Sequence, residues 1–224
     1  MSEIIKDIKT KTPIPWQLTR EGLLRFGAKD CYGTFSQDVV GREWVRGIVR
    51  TLGSDELKML VGEGRITLAM IKPQTRENLQ GVSEFNAFLH ILHEIRSPLK
   101  PIFEVSIWFS PDDVEEFYAG QPKESQLKDS AIHGNFPNRW EEFKNYMTSG
   151  PSTFLLLHSD PGGASQKWRK QVGSWDVVGL PRDTETIRGK WAKDNYTSIV
   201  HGSDNPSAIL REIEFLRNHL ARFL

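Results

Sequence analysis

The stretch that decides the fold is Ile66–Ile71, with the sequence ITLAMI, followed directly by Lys72 and Pro73. A short apolar run of this kind predicts a buried β-strand. Pro73 has no backbone N–H to donate to a sheet, so the strand is expected to stop at Lys72 and Pro73. A lysine at the end of a strand is also in a common position for binding an anion.

Strand and helix patterns continue from this strand toward the C-terminus. A helical stripe from Leu79 to Leu92 precedes a second predicted strand at Ile102–Phe109, and a third is predicted at Thr153–Leu157. A short fourth strand is expected to end near His201. Further helices are predicted at 111–118, 140–147, 164–172 and about 206–223. This order predicts a βαββαβ skeleton, an α+β fold in which helices cover a central sheet.

The first part of the chain, residues 1–64, is predicted to be a helical extension that precedes a main domain of residues 65–224. Ser36 is a candidate cap for a helix that ends at Gly53, and Ser54 for a short second helix. The apolar stripe of the first helix needs a partner surface. We therefore expect the extension to pack on the main domain or on a neighbouring subunit.

Composition narrows the class of protein. The 224 residues contain 29 Lys plus Arg and 29 Asp plus Glu, so the net charge is zero. This balance argues against broad non-specific nucleic-acid binding but leaves room for a local anion site. No specific nucleic acid is expected as a partner. The single cysteine, Cys31, makes no internal disulfide. A charged N-terminus and the lack of an apolar run of about 20 residues predict a cytoplasmic protein without a membrane association.

The chemistry is expected at His201, which begins the sequence His-Gly-Ser-Asp. An imidazole is available as a nucleophile near neutral pH when an acceptor holds its other ring nitrogen. Glu212 is the candidate acceptor, and Ser203 can add a hydroxyl hydrogen bond. A lone histidine is more often structural, but Arg188, in a short turn ended by glycine, lies at a spacing that suggests a phosphate partner.

Three other patterns carry less weight. The sequence His90-x-x-His93-Glu94 is not a zinc-protease helix and lacks an obvious third ligand, so no protein-held metal is predicted there. Gly162 and Gly163 are not followed by the Gly-Lys-Ser/Thr of a phosphate loop. The seven tryptophans are scattered, which is more typical of core packing than of base stacking.

Several segments, in the same order, resemble the nucleoside diphosphate kinase family over about residues 65–224. They are ITLAMIKP, SPDDVEEFY, KNYMTSGPSTFLLL, KWRKQVG, TIRG and HGSD, completed by REI with Glu212. The resemblance implies a ferredoxin-like core and a ping-pong phosphotransferase. His201 would take the γ-phosphate from a nucleoside triphosphate and pass it to a nucleoside diphosphate.

The resemblance also implies roles for the remaining site residues. Lys72, Arg169 and Arg188 would hold the phosphates, and Tyr118 would stack on the base. Magnesium would be bound mainly through the nucleotide phosphates, without protein metal ligands. Because family members form hexamers or tetramers, a homo-oligomer is expected.

The chain departs from the family pattern at positions that bear on the acceptor. Trp175 stands where the family has a phosphate-contacting threonine, and Ser198 stands where it has a sugar-contacting asparagine. The polar segments 120–138, predicted to be a loop, and 174–187, predicted to be irregular, are longer than usual. Three hypotheses follow: a nucleoside diphosphate kinase, a divergent phosphotransferase or nucleotide-binding regulator with another acceptor, and an assembly module with a vestigial site.

Overall fold

A computed structural model describes residues 39–73, 91, 95, 98–121, 139–174, 183–192, 198–222 and 224, with side chains from Val45 onward. The Ser36 cap, nearly all of the helix predicted from Leu79, most of the 120–138 loop, Trp175 and the His90–Glu94 pattern lie outside these residues.

The centre of the fold is β1 (Ile66–Ile71), whose six residues are all buried. It lies between β3 (Ser152–His158) and β4 (Val200–Gly202), while β2 (Lys100–Ile107) pairs with the outer side of β3. Every neighbouring pair is antiparallel. A strand buried on both faces can be aliphatic at every position, which explains why ITLAMI shows no polar alternation.

The strand order β2-β3-β1-β4 identifies the predicted ferredoxin-like arrangement. Each βαβ unit leaves a gap between its two strands, and the gap is filled by a strand of the other unit. The predicted α+β sandwich is therefore confirmed. The second strand differs from its prediction: its ladder with β3 ends at the pair Ile107–Ser152, so Phe109 lies beyond the strand and joins the apolar core.

Helices cover both faces of this sheet. Their boundaries within the described residues are Val39–Leu52 (α1), Asp55–Gly62 (α2), Pro111–Tyr118 (α3), Arg139–Met147 (α4), Ala164–Val172 (α5), Ile187–Trp191 (α6) and Pro206–Ala221 (α7). Ser54 caps α2, as predicted, by accepting a hydrogen bond from the backbone N–H of Leu57. Ser110 and Asp113 form a capping box at the start of α3. None of these helices has the length and apolar character needed to cross a membrane.

The two faces of the sheet have separate apolar clusters. One cluster joins β1, β2 and β3 to helices α1, α2, α3, α4 and α7, and the other lies under α5 and α6. The N-terminal helices belong to the first cluster, where Val45, Ile48 and Leu52 of α1 are buried beside α7. The described part of the extension, residues 39–64, therefore packs on its own chain, one of the two arrangements expected. The domain boundary at residue 64 stays a prediction.

Glu104 is a carboxyl group in an unfavourable position on β2. It lies opposite Leu155 of β3, and burial raises its pKa to about 7. Because the pKa is lower in the unfolded state, Glu104 is protonated in the folded state at pH 4 and does not lower the free energy of unfolding there. Its ionisation lowers the free energy of unfolding as the pH rises from about 4.5 to 7.

We therefore expect Glu104→Gln to raise the free energy of unfolding at pH 8, by up to about 3 kcal/mol, and to leave it nearly unchanged at pH 4. Urea unfolding at both pH values measures the difference. The exposed Glu185→Gln is the control and should change little at either pH. An equal effect of Glu104→Gln at both pH values would contradict the assignment.

Candidate active site

The register of β1 and β4 brings two predicted site residues to the same end of the sheet. His201 is paired with Met70, and Val200 with Ile71. One step further, the backbone N–H of Lys72 donates to the carbonyl of Ile199 over 2.9 Å. Residues that are 129 positions apart in the sequence, Lys72 and His201, are neighbours because these two strands pair.

The imidazole of His201 is held by the last helix. Its Nε2 lies 3.1 Å from Oε1 of Glu212, and Ser203 Oγ donates to Oε2 of the same carboxylate over 2.5 Å. A carboxylate oxygen only accepts, so Nε2 carries the proton of this bond and Nδ1 keeps its lone pair. The predicted roles of Glu212 and Ser203 therefore have the contacts that they require.

Local sequence explains why Glu212 lies there. Asn205 caps α7 by accepting from the backbone N–H of Ala208, and Pro206 occupies the first turn, so the helix starts directly after His-Gly-Ser-Asp. Glu212 then lies in the second turn and is only 2% exposed, whereas the side chain of His201 is 13% exposed. The histidine is thus partly accessible to a ligand while its carboxylate partner is shielded.

Aromatic rings form the wall beside His201. Phe117 and Tyr118, at the end of α3, present their rings edge-on to the imidazole, with centroids 5.6 and 6.1 Å away. Tyr118 is fully buried and also contacts Phe143 and Trp140 of α4. Neither face of its ring is exposed, and the stacking of Tyr118 on a base stays a prediction.

The phenol group of Tyr118 has a different environment from the one expected. Burial, and next the nearby carboxylate of Glu212, raise the pKa of this phenol well above its usual range. The group therefore stays a neutral O–H donor. Within the described residues, its buried oxygen has no hydrogen-bond partner. The sequence pattern marked Tyr118 as a site residue but did not predict that its ring would pack against His201.

Lys72 is almost completely buried, with 2% exposed. Its ammonium donates to Ser198 Oγ over 3.3 Å and lies 5.2 Å from the centre of the Phe143 ring. Such a cation over an aromatic face is stabilised electrostatically. Ser198 is buried as well, so the position where the family has asparagine here serves as an acceptor for Lys72.

Arg188 lies on α6, a one-turn helix, rather than in the simple turn that was predicted. Thr186 caps this helix by accepting from the backbone N–H of Gly189. Gly189 permits a close approach, because a Cβ there would lie 1.8 Å from the carbonyl oxygen of Asp183. The arginine donates to the carbonyls of Gly173 and Val200, each over 3.2 Å. These bonds place the cation beside β4.

Burial lowers the pKa of Arg188 to about 10, so the side chain remains positively charged at neutral pH. Its Nε is buried without a hydrogen-bond partner among the described residues. A buried cation with an unused N–H has capacity to bind a further anion.

Arg169, on the last turn of α5, is the third predicted cation. It is 55% exposed and forms a 2.7 Å ion pair with Asp204, the acidic residue of the His-Gly-Ser-Asp sequence. An exposed pair of this kind stabilises the fold little, so Arg169 can exchange partners at small cost. Sequence reasoning gave no role to Asp204, and only the folded arrangement shows its contact.

The three cations thus contact the segment 198–204 that carries His201: Lys72 at Ser198, Arg188 at the carbonyl of Val200, and Arg169 at Asp204. Among the described residues there is no group of three or more His, Cys, Asp or Glu side chains that could hold a metal ion. Positive side chains beside an imidazole that is oriented by a carboxylate suit a ligand rich in phosphate.

Comparison with known proteins identifies the class. The family model named nucleoside diphosphate kinase matches residues 65–220, which is well over half of the chain. The chain belongs to the nucleoside diphosphate kinase family, as its sequence motifs indicated.

The chain is also similar to individual known proteins. The chain is 30% identical over 150 residues to the nucleoside diphosphate kinase of Paracoccus denitrificans, covering 66% of this chain and 90% of that protein. It is 31% identical over 78 residues to thioredoxin domain-containing protein 6 of Xenopus laevis, covering 34% of this chain but only 12% of that longer protein. The solved nucleoside diphosphate kinase of Aquifex aeolicus shares the fold, with a TM-score of 0.50 at 23% identity, covering 68% of this chain and 94% of that one.

Proposed function

We propose that the protein is a nucleoside diphosphate kinase that transfers the γ-phosphate of a nucleoside triphosphate to a nucleoside diphosphate through a phosphohistidine at His201. The observation that carries this proposal is the hydrogen bond between His201 Nε2 and Glu212, which leaves Nδ1 as the nucleophile. Nucleophilic catalysis by a side chain needs such a fixed orientation.

Two displacements make up the reaction. In the first, the lone pair of Nδ1 attacks the γ-phosphorus, a N–P bond forms, and the bond from phosphorus to the bridging oxygen breaks, releasing a nucleoside diphosphate. In the second, a terminal oxygen of another nucleoside diphosphate attacks the same phosphorus and the N–P bond breaks. As the imidazole gains positive charge in the first step, the carboxylate of Glu212 stabilises it.

The surrounding cations hold the phosphate groups in this proposal. Lys72 is buried and Arg188 is partly buried close to His201, where their charge is weakly screened, and Arg169 reaches the site from its exposed position on α5. Tyr118, a neutral phenol whose oxygen has no hydrogen-bond partner among the described residues, would donate a hydrogen bond to the bound ligand.

Magnesium is expected to enter with the nucleotide, because the described site offers cations and not a set of carboxylates. Bound to the phosphates, it would neutralise part of their charge. Assembly into a homo-oligomer remains the expectation from the family.

A second candidate function is a phosphotransferase or nucleotide-binding regulator with a different acceptor. The contact between Lys72 and Ser198 favours it, since Ser198 is shorter than the family's asparagine and is engaged by the lysine. Phosphate uptake would then be retained while discharge to nucleoside diphosphates would be poor.

One labelling and discharge assay separates these functions. The protein is incubated with γ-labelled ATP and magnesium, freed of nucleotide, and then mixed with ADP, GDP, CDP or UDP. We expect an acid-labile phosphohistidine that discharges to several diphosphates at rates well above its hydrolysis. Labelling with poor discharge to all four diphosphates would favour the second function, and no labelling would exclude both.

A further inference from the structure

Two helices on opposite faces of the sheet hold the segment that carries His201. On one face, Glu212 of α7 binds the imidazole. On the other face, α5 packs beneath β4, and its fully buried Trp168 donates the indole N–H to the backbone carbonyl of His201 over 3.1 Å. One turn earlier, Ser165 Oγ donates to the backbone carbonyl of Ser203 over 2.9 Å.

Gly202 makes the close approach of Trp168 possible. A Cβ at this position would lie 2.8 Å from Cδ1 and 2.9 Å from Nε1 of Trp168, inside normal contact distance. Successive residues of a strand point to opposite faces, so the side chain of His201 faces α7 while position 202 faces α5. The absent side chain of Gly202 therefore leaves the space that the indole occupies.

We propose that Trp168 is a positioning residue for the nucleophile, acting with Gly202 and supported by Ser165. The hydrogen bond from its indole fixes the backbone of His201, so that the imidazole meets Glu212 and Nδ1 faces the incoming phosphate. Ser165 fixes the backbone of Ser203, whose hydroxyl holds the other oxygen of Glu212. Both ends of the His201–Glu212 hydrogen bond are thus tied to α5.

This inference rests on the proposed function for its catalytic consequence, but the geometry can be tested without activity. The imidazole nitrogen shifts of His201, measured by ¹⁵N NMR in the nucleotide-free protein, report which ring nitrogen carries the proton. We expect the wild-type protein to have the Nε2–H tautomer. Trp168→Phe keeps an aromatic ring but removes the N–H donor, and should produce a mixture of tautomers.

Activity supplies the second readout. Single-turnover labelling from ATP should slow by roughly tenfold in Trp168→Phe and by a smaller factor in Ser165→Ala, because small misplacement of a nucleophile is costly. The matched control is Leu157→Ala, which truncates a buried residue of the same apolar cluster away from β4. It should lower thermal stability while leaving the labelling rate of the folded protein and the His201 shifts unchanged.

A double-mutant cycle tests the role of Gly202. Gly202→Ala should displace the indole, so Trp168→Phe/Gly202→Ala should label no more slowly than Gly202→Ala alone.

Unchanged His201 shifts and labelling rates in Trp168→Phe and Ser165→Ala, or additive losses in the cycle, would overturn the proposal. If the wild-type protein does not label at all, the proposed function fails, while the tautomer comparison still decides whether Trp168 positions His201. If Trp168→Phe does not fold, Ser165→Ala decides on both readouts.

Discussion

Replacing His201 by alanine is expected to abolish labelling by ATP and to reduce phosphate transfer to nucleoside diphosphates by roughly four orders of magnitude or more. The physical reason is that no other described group has an acceptor-oriented nitrogen beside the three cations. In the proposed mechanism the cations hold the phosphates, but they cannot form the covalent intermediate. A coupled assay of diphosphate phosphorylation, together with acid-labile labelling, measures the loss.

The fold should survive this substitution, because the hydrogen bond that the imidazole loses is the single one to Glu212. Circular dichroism and thermal unfolding check this expectation. The control is His158→Gln at the far end of β3, where the ring contacts Arg65 and not the site. It should keep most of the activity. Equal labelling of wild-type protein and His201→Ala would show that the phosphate is carried elsewhere.

The second large effect is expected on stability, at Asp113. This buried residue accepts hydrogen bonds from the backbone and hydroxyl of Ser110, and it joins α3 to α7 through His219 Nδ1 at 3.3 Å and Arg222 at 2.6 Å. We expect Asp113→Ala to lower the free energy of unfolding by about 3 kcal/mol at pH 7. The loss combines a helix cap with the contacts to His219 and Arg222 that join α3 to α7.

The effect of Asp113 should depend on pH in a defined direction. Burial alone would raise its pKa, but the hydrogen bonds from His219 and Ser110 outweigh burial and hold the pKa well below its usual range. A depressed pKa in the folded state contributes stability above the unfolded value of about 3.9, and this contribution is lost as the pH falls further.

Urea unfolding of wild-type protein and Asp113→Ala from pH 7 down to pH 2.5 measures this dependence. The difference between the two proteins should shrink below about pH 4. The exposed neighbour Asp112→Asn, on the same turn of α3, is the control and should show a much smaller difference throughout. A loss of the same size at every pH would show that the charge of Asp113 is not responsible.

Local sequence was a good guide where short-range physics decides. The aliphatic run ITLAMI predicted β1 residue for residue, and Ser54 and Ser110 marked the beginnings of α2 and α3. The His-Gly-Ser-Asp sequence with Glu212 led to contacts that the fold confirms. In each case a strand, a cap or a motif depends on residues that are close together in the chain.

The environment of Tyr118 could not be predicted from local sequence. Its identity and its place at the end of α3 were predicted, but its burial depends on α4 and on His201, which come from other parts of the chain. Similarly, the hydrogen bond between Lys72 and Ser198 spans 126 positions. No local sequence pattern shows which side chains from distant parts of the chain will come into contact.

By itself, the sequence determined the order of the elements and the family, and it singled out His201, Glu212 and the cations as candidate site residues. Only the tertiary structure decided three contacts between distant residues. Trp168 packs against Gly202, Asp113 of α3 contacts His219 of α7, and Tyr118 packs against the imidazole of His201. The physical reason is that helix and strand formation depend on periodicity and capping, which are local. Burial and hydrogen-bond partners depend on which surfaces meet after the sheet has paired, and the pairing of β1 with β4 joins segments from opposite ends of the domain.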